Sequence, residues 1–262
     1  MVKIKTKEEI EKMKIAGKLT AEVLEMIKNY MHPGITTQEI DKICHDYIIH
    51  KQKAIPACLG YKGFPKSTCI SINNVVCHGI PNKEKIKNGD IVNVDISVIK
   101  NGYHGDSSKM FIIGDVKKKY KDLCKSTKKS LYIAIRLIKP GIKISKIGKN
   151  IQKYIFKKNF SIVEDYCGHG IGKKFHEDPQ ILHYKNNSQI TILKEGMTFT
   201  IEPMINFGKK EVYCCKDGWT VKTKDKSYSA QYEHTILVTK YGCKILTIRK
   251  EENINKILMN KK

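Results

Sequence analysis

Residues 90–114 read DIVNVDISVIKNGYHGDSSKMFIIG, and the dipeptide Asn101-Gly102 at their centre decides how they fold. Asn-Gly between two alternating apolar runs is the strongest short-range signal for a two-residue hairpin turn, because both turn positions need a left-handed backbone. If residue 100 pairs with residue 103, Asp95 faces Ser108 and Asp106 becomes its diagonal neighbour on the same sheet face. Diagonal partners lie about 7–8 Å apart, within reach of a shared cation. Val92, Val94, Ile96 and Val98 then take the opposite face and build core. The hairpin is therefore expected to carry two acids on one face and the hydrophobic interior on the other.

Other strand signals follow the same logic. Residues 68–72 read as a strand. GMTFTIEPMI (196–205) alternates, with Met197, Phe199 and Ile201 on one side and Thr198, Thr200 and Glu202 on the other. AQYEHTILVT (230–239) reads as a strand that carries Glu233. His169 sits in CGHGIG (167–172), whose glycines permit close backbone approach. That stretch is not the dinucleotide fingerprint, since no strand–helix unit with a later acidic partner surrounds it. Asp106, in His-Gly-Asp-Ser, can equally be read as an ordinary turn residue.

Helices frame these strands. Thr6 followed by Glu9 is a capping box, and Ile10, Met13, Ile15, Ala16, Leu19, Val23, Leu24 and Ile27 approximate a helical stripe behind it. Pro33-Gly34 stops that helix, and Thr36 with Glu39 caps a second one reaching about Ile49. The pattern then recurs. PGITTQEIDKICHDYI (33–48) and PGIKISKIGKNIQKYI (140–155) align without gaps at an offset of 107 residues (140 less 33), sharing Pro-Gly-Ile, an Ile, a Lys and a terminal Tyr-Ile. A helix over about 117–138 precedes the second copy. Two related α+β halves are expected, about 1–115 and 116–262, forming one domain.

Composition bounds the possibilities. The chain has 262 residues, 40% hydrophobic and 29% charged, as in a soluble globular protein. Net charge is +23, almost all of it lysine, with Arg136 and Arg249 the only arginines. So few arginine forks argue against a sequence-specific reader of nucleic acid. The lysine excess fits an AT-rich coding bias, and it also gives a general attraction to polyanions. Nine cysteines with no C-x-x-C pair match neither a zinc ribbon nor a disulfide framework, and read as reduced thiols packed in a cytoplasmic protein. The first residues lack the apolar core of a secretory signal, and no run of 18 apolar residues suggests a membrane span. The Lys-rich runs 117–129 and 261–262 are expected to be solvated.

Asp95, Asp106, His169, Glu202 and Glu233 are the residues on which function turns. Each alone can be structural. Four carboxylates and an imidazole aimed into one cavity would repel one another and suffer desolvation unless cations compensate them. A donor set rich in hard oxygen suits a pair of divalent metals, and such a pair suits hydrolysis. No H-E-x-x-H is present, so a helical zinc-protease motif is ruled out.

Taken together, SINNVVCHGIPN (71–82), NGDIVNVDISVIKNGYHGDSSKMF (88–111), CGHGIGKKFHEDP (167–179), GMTFTIEPMI (196–205) and KDGWTVKTKDKSYSAQYEHT (216–235) closely resemble bacterial type I methionine aminopeptidases. The resemblance spans nearly the whole chain and implies the pita-bread fold, an α+β architecture of two pseudo-symmetric halves around a central antiparallel sheet. It implies removal of N-terminal methionine from nascent chains, with preference for a small second residue. Asp95 would chelate one metal, His169 and Glu202 the other, and Asp106 and Glu233 would bridge both. Two cations about 3.5–4 Å apart would lower the pKa of a shared water, with Glu202 as proton shuttle. His78 would contact the scissile amide and His176 the carbonyl oxygen. The methionine side chain would enter a pocket of Cys58, Tyr61, Phe64, Cys69, Phe175 and Trp219. Phe64 departs from the tyrosine of many relatives and puts any hydrogen bond there in doubt. The resemblance further suggests a monovalent-cation site at Asn73, Val75 and Ser229, a monomer, and transient ribosome association. The metal, whether Co, Mn, Fe or Zn, is left open. His32, His45, His50, His104, His183 and His234 are assigned no role.

Two alternatives differ in class. An Xaa-Pro hydrolase of the same fold would carry a sizeable extra domain before the ligands, whereas only 94 residues precede Asp95. A non-catalytic ribosome or RNA adaptor would use the charge and dispense with the five ligands.

Overall fold

The computed structural model describes residues 2–258; the expected solvated run 261–262 lies outside them. The long hairpin forms as the Asn-Gly turn dictates. Strands Ile91–Lys100 and Tyr103–Ile112 pair with Lys100 opposite Tyr103, Asp95 opposite Ser108 and Ser97 opposite Asp106. Asn101 and Gly102 both take positive φ, 52° and 76°. Asp106 is therefore a strand residue, and the reading of His-Gly-Asp-Ser as a turn does not hold. Val92, Val94, Ile96 and Val98 are fully buried in one hydrophobic cluster with helix residues Val23, Leu24, Ile27 and Ile40.

Helix α1 spans Lys7–Ile27 and α2 spans Thr37–Asp46, each opened by a complete capping box, at Thr6/Glu9 and Thr36/Glu39. The stripe on α1 holds for Met13, Ala16, Val23, Leu24 and Ile27. Ile15 is 44% exposed, because it falls off the buried arc. Helices α3 (Lys118–Ile135) and α4 (Ser145–Phe156) repeat the arrangement, although α4 has no side-chain cap. The 107-residue offset extends into the backbone hydrogen bonds. Gly34 N–H donates to Ile86 O at 2.8 Å and Gly141 N–H to Leu193 O at 2.9 Å; Ile86 N–H donates to Ile35 O at 2.9 Å and Leu193 N–H to Ile142 O at 2.8 Å. The isolated bridges Thr36–Lys85 and Lys143–Ile192 are spaced the same way.

Among the described residues every strand pairing is antiparallel, in four sheets. The hairpin sheet adds Cys69–Ile72 and Ile55–Pro56 along Ile91–Lys100. The five-stranded sheet runs in the order Cys243–Ile245, His234–Val238, Thr198–Ile201, Gly168–Gly170, Glu177–Ile181. Its inward residues Phe199, Ile201 and Ile236 join Leu131, Ile135, Ile147 and Ile151 of α3 and α4 in the largest core. The halves meet where residues 106–108 lie against residues 233–235. All nine cysteines are free thiols, and Cys44, Cys58, Cys69, Cys77 and Cys124 are buried. No helix among the described residues is long and apolar enough to cross a membrane.

Helix α1 crosses the hairpin at Gly105, next to Asp106. A Cβ at Gly105 would lie 2.6 Å from both Ala16 C and Gly17 N, backbone on backbone. Gly105→Ala must therefore push the helix off the strand, and chemical denaturation should record a loss of about 1–3 kcal/mol or more. An unchanged denaturation midpoint would contradict this packing.

Candidate metal centre

Two of the five chemistry-bearing residues stand on the regular hairpin and two in strand breaks. Thr198–Ile201 and His234–Val238 pair with Ile201 opposite His234, while Met204–Asn206 and Ser229–Gln231 pair with Met204 opposite Gln231. Glu202 and Glu233 thus face each other in the gap between two sheets, so the expected continuous strand through Glu233 is interrupted. Pro203 explains the gap from sequence, since it has no N–H to continue the ladder. The freed backbone groups find other partners. Glu202 N–H donates to His183 Nε2 at 3.1 Å, Glu233 N–H donates to Ser108 O at 3.1 Å, and Ser107 Oγ donates to Glu233 O at 2.6 Å.

His169 occupies the three-residue strand Gly168–Gly170, beside a bulge. A Cβ at Gly168 would sit 2.4 Å from Thr200 O, and one at Gly170 2.0 Å from Asp178 O, so only glycines let this strand slot between its neighbours. The His169 Nδ1–H points at Gly170 O, 3.0 Å away, which leaves Nε2 facing the acids. Nε2 lies 3.6 Å from Asp106 Oδ2 and 3.7 Å from Glu202 Oε1. Donor atoms of Asp106, His169 and Glu233 all fall within 4.8 Å of one another. These gaps exceed hydrogen-bond length and match donors grouped about an ion with bonds of about 2 Å.

The electrostatics show what the cluster lacks. Asp95 and Glu233 are pushed well above the usual carboxylate range by burial and by neighbouring acids, Asp106 first among them. Burial raises Glu202 to about 7, with His169 opposing and Asp106 adding to the rise. Burial works against a charged His169, yet the approach of Asp106 and the charges of Glu202 and Asp106 leave it raised. Asp95 Oδ1 and Glu233 Oε1 are buried with no hydrogen-bond partner among the described residues. Orphaned carboxylate oxygens beside an imidazole nitrogen fit divalent cations, which would satisfy the oxygens and cancel the repulsion. Ser97 Oγ steadies Asp106 Oδ1 at 2.7 Å, and Thr200 Oγ1 and Gln231 Nε2 hold Glu202 at 2.8 and 3.2 Å.

The cluster opens into a cavity of about 740 Å³. Cys58, Phe64, Cys69 and Phe175 pack as one buried group with Tyr61 and Trp219 against it, so the structure brings all six expected pocket residues together beside the acids. Phe64 meets Trp219 edge-on at 5.1 Å, a contact that needs no phenolic hydroxyl. His176 lies 4.1 Å from His169 between ring centres, takes a 2.8 Å hydrogen bond with Tyr61 Oη at Nδ1, and is lowered to about 4, chiefly by burial. His78 stands in a left-handed conformation, φ 55°, edge-on to Tyr166 and Trp219. Asn73 and Ser229 are joined by a 2.8 Å backbone hydrogen bond, and Val75 begins the adjacent strand Val75–Cys77.

Sequence reasoning missed three contributors. His183, assigned no role, accepts the Glu202 amide. His104 stacks on Phe175 at 5.4 Å between ring centres, and Tyr166 lines the cavity. No local signal marks them, since each acts through a partner remote in sequence.

This layout defines a metal-dependent hydrolase, and the comparisons agree: the chain belongs to metallopeptidase family M24, whose profile matches residues 11–240. Within it the chain falls among the methionine aminopeptidases. It is 63% identical over 258 residues to the methionine aminopeptidase of Buchnera aphidicola subsp. Acyrthosiphon pisum (strain APS), and 60% identical to that of Escherichia coli (strain K12), covering 98% of both partners each time. The crystal structure of methionine aminopeptidase from Rickettsia prowazekii superposes with a TM-score of 0.93 at 52% identity, over 95% of this chain and all of that one.

The raised groups set a sign for metal binding. Glu202 keeps, up to about pH 7, a proton that the unfolded chain sheds near 4.5, and Asp95 and Glu233 are displaced in the same direction, so the metal-free fold loses stability as pH rises from about 4.5 through about 7 for Glu202. Cations require the deprotonated forms. Titrating Mn²⁺ into stripped protein at pH 6.5, by calorimetry in buffers of different ionisation heat, should release more than one proton per protein and bind tighter as pH rises. Binding without proton release would contradict the assigned ligands.

Proposed function

We propose that the protein removes N-terminal methionine from peptide chains by metal-dependent hydrolysis. The observation that carries this is the shared cavity: an apolar, thiol-and-aromatic pocket opens directly beside a buried carboxylate–imidazole cluster. Methionine is long, unbranched and polarizable, and its thioether makes favourable contacts with aromatic edges. The names of the relatives support the same substrate.

Asp95, Asp106, His169, Glu202 and Glu233 would hold two divalent ions. When bound, such ions supply Lewis acidity toward the carbonyl and ready deprotonation of water. The chain's own groups do the rest. The pocket seats the methionine side chain and excludes water from one side of the first peptide bond. His176, neutral and fixed through Nδ1 by Tyr61, faces the carbonyl oxygen, and His78 the scissile amide. Water adds to the carbonyl carbon and its proton passes to Glu202. The C–N bond then breaks, and Glu202 returns the proton to the departing nitrogen.

Preference for a small second residue, a monovalent cation at Asn73, Val75 and Ser229, and action as a cytoplasmic monomer belong to the same reading. The +23 charge supports transient contact with the ribosome. Cosedimentation with ribosomes is expected at low salt and should vanish as salt rises.

The decisive assay strips metal with a chelator, adds back Mn, Fe, Co and Zn separately, and measures free methionine released from Met-Ala-Ser. Release is expected with added metal only, while Ala-Pro remains intact. Glu202→Gln should lower kcat by about 10²–10⁴-fold. Cleavage of Ala-Pro in place of Met-Ala-Ser, or full activity in the chelator, would overturn the reading.

A further inference from the structure

Arg249 is the largest fully buried side chain among the described residues, in a chain that otherwise uses lysine almost throughout. Its Nη2 donates to Glu252 Oε1 at 2.8 Å and lies 3.2 Å from His234 Nε2. Its Nη1 donates to Ser107 Oγ at 3.0 Å, and Ser107 Oγ passes its own hydrogen to Glu233 O at 2.6 Å. Ser107 and His234 are the chain neighbours of Asp106 and Glu233. A second thread runs parallel. Thr247 Oγ1 accepts the Thr235 N–H at 3.1 Å, and Thr235 Oγ1 donates to Asp106 O at 2.8 Å while accepting the Asp106 N–H at 3.1 Å. Residues 247–252 therefore grip, from behind, the backbone that carries both acids. Glu252 is anchored in turn by the Tyr132 hydroxyl and by Lys128 Nζ at 3.6 Å.

Stability does not account for this arginine. A buried ion pair roughly breaks even against apolar replacements once desolvation is counted, and Arg249 Nε finds no acceptor among the described residues. What the guanidinium uniquely offers is a rigid planar fork that reaches three partners on three segments at once, which an ammonium on a flexible stem cannot do.

We propose that Arg249 is a positioning residue for the metal centre: its fork fixes Ser107 against Glu233 and so holds the Asp106 and Glu233 carboxylates in register for cations. The inference rests on reading the cluster as a metal centre. Outer contacts of this kind typically govern metal affinity by about 10–100-fold.

Two variants separate this from a purely structural role. Arg249→Lys keeps a cation opposite Glu252 and loses the fork. Ser107→Ala keeps the whole Arg249–Glu252 pair and removes the hydroxyl that joins Arg249 Nη1 to Glu233 O. Full-length wild type and variants are titrated with Mn²⁺ by calorimetry and by loss of the free-ion EPR signal, with circular dichroism and Tm recorded alongside. Both variants should keep the wild-type spectrum and bind Mn²⁺ about 10–100-fold more weakly. Wild-type affinity in either folded variant overturns the positioning role. If Arg249→Lys does not fold, Ser107→Ala decides alone. No Mn²⁺ uptake by the wild type would instead sink the metal reading itself, and this inference with it.

Discussion

Mutual repulsion among buried acids is the constraint around which this molecule is organised. Asp95, Asp106, Glu202 and Glu233 converge with a single imidazole where the two halves meet, and burial together with like charge drives Asp95 and Glu233 well up and Glu202 to about 7. Left alone, such a cluster would relax by protonating or by drawing in water. It stays assembled because the carboxylates are mounted on backbone already committed elsewhere: the paired hairpin for Asp95 and Asp106, and a cross-linked strand break for Glu202 and Glu233. The fold supplies rigidity, and cations would supply the missing charge.

The internal duplication explains how this geometry arises. Asp95 and Glu202 are themselves 107 residues apart (202 less 95), the spacing that relates the two Pro-Gly-Ile helices and their backbone bridges. Gly89 and Gly196, at the same spacing, open the two corresponding strands with positive φ. Each half thus brings one acid to the equivalent position, Asp95 within its strand and Glu202 just past the end of its own. Asp106 and Glu233 do not obey the offset. They come from the two segments that touch across the seam, which suits them to act on both halves at once.

Much of this was legible in the sequence because it is local. Asn101-Gly102 fixed the register, and with it the placement of Asp95 and Asp106 on one face; the capping boxes at Thr6 and Thr36 set the first two helix starts. Pro-Gly-Ile betrayed the repeat. What local reasoning could not supply depends on partners far along the chain. The strand through Glu233 breaks because it must match the break that Pro203 imposes on its neighbour. His183 matters through an amide 19 residues away, and Arg249 reaches the acids through Ser107, 142 residues away. Ile15 was misplaced for a simpler reason: an apolar residue one step off a helical stripe carries no mark of which way it faces.

The cavity divides its labour by chemistry, although its two sides are only a strand apart. Cys69 pairs with Asp95 across the hairpin sheet, so a thiol stands beside the acids and competes in principle for any cation. Contact with Cys58 and then burial push the Cys69 thiol far above its ordinary range, so it keeps its proton. A hard cation would favour oxygen and imidazole over sulfur, and the Cys69 sulfur packs in the apolar wall with Phe64 and Phe175. The same burial that makes Asp95 and Glu233 reluctant to ionise also keeps the Cys69 thiol protonated, which would separate a metal side from a side-chain side within one pocket.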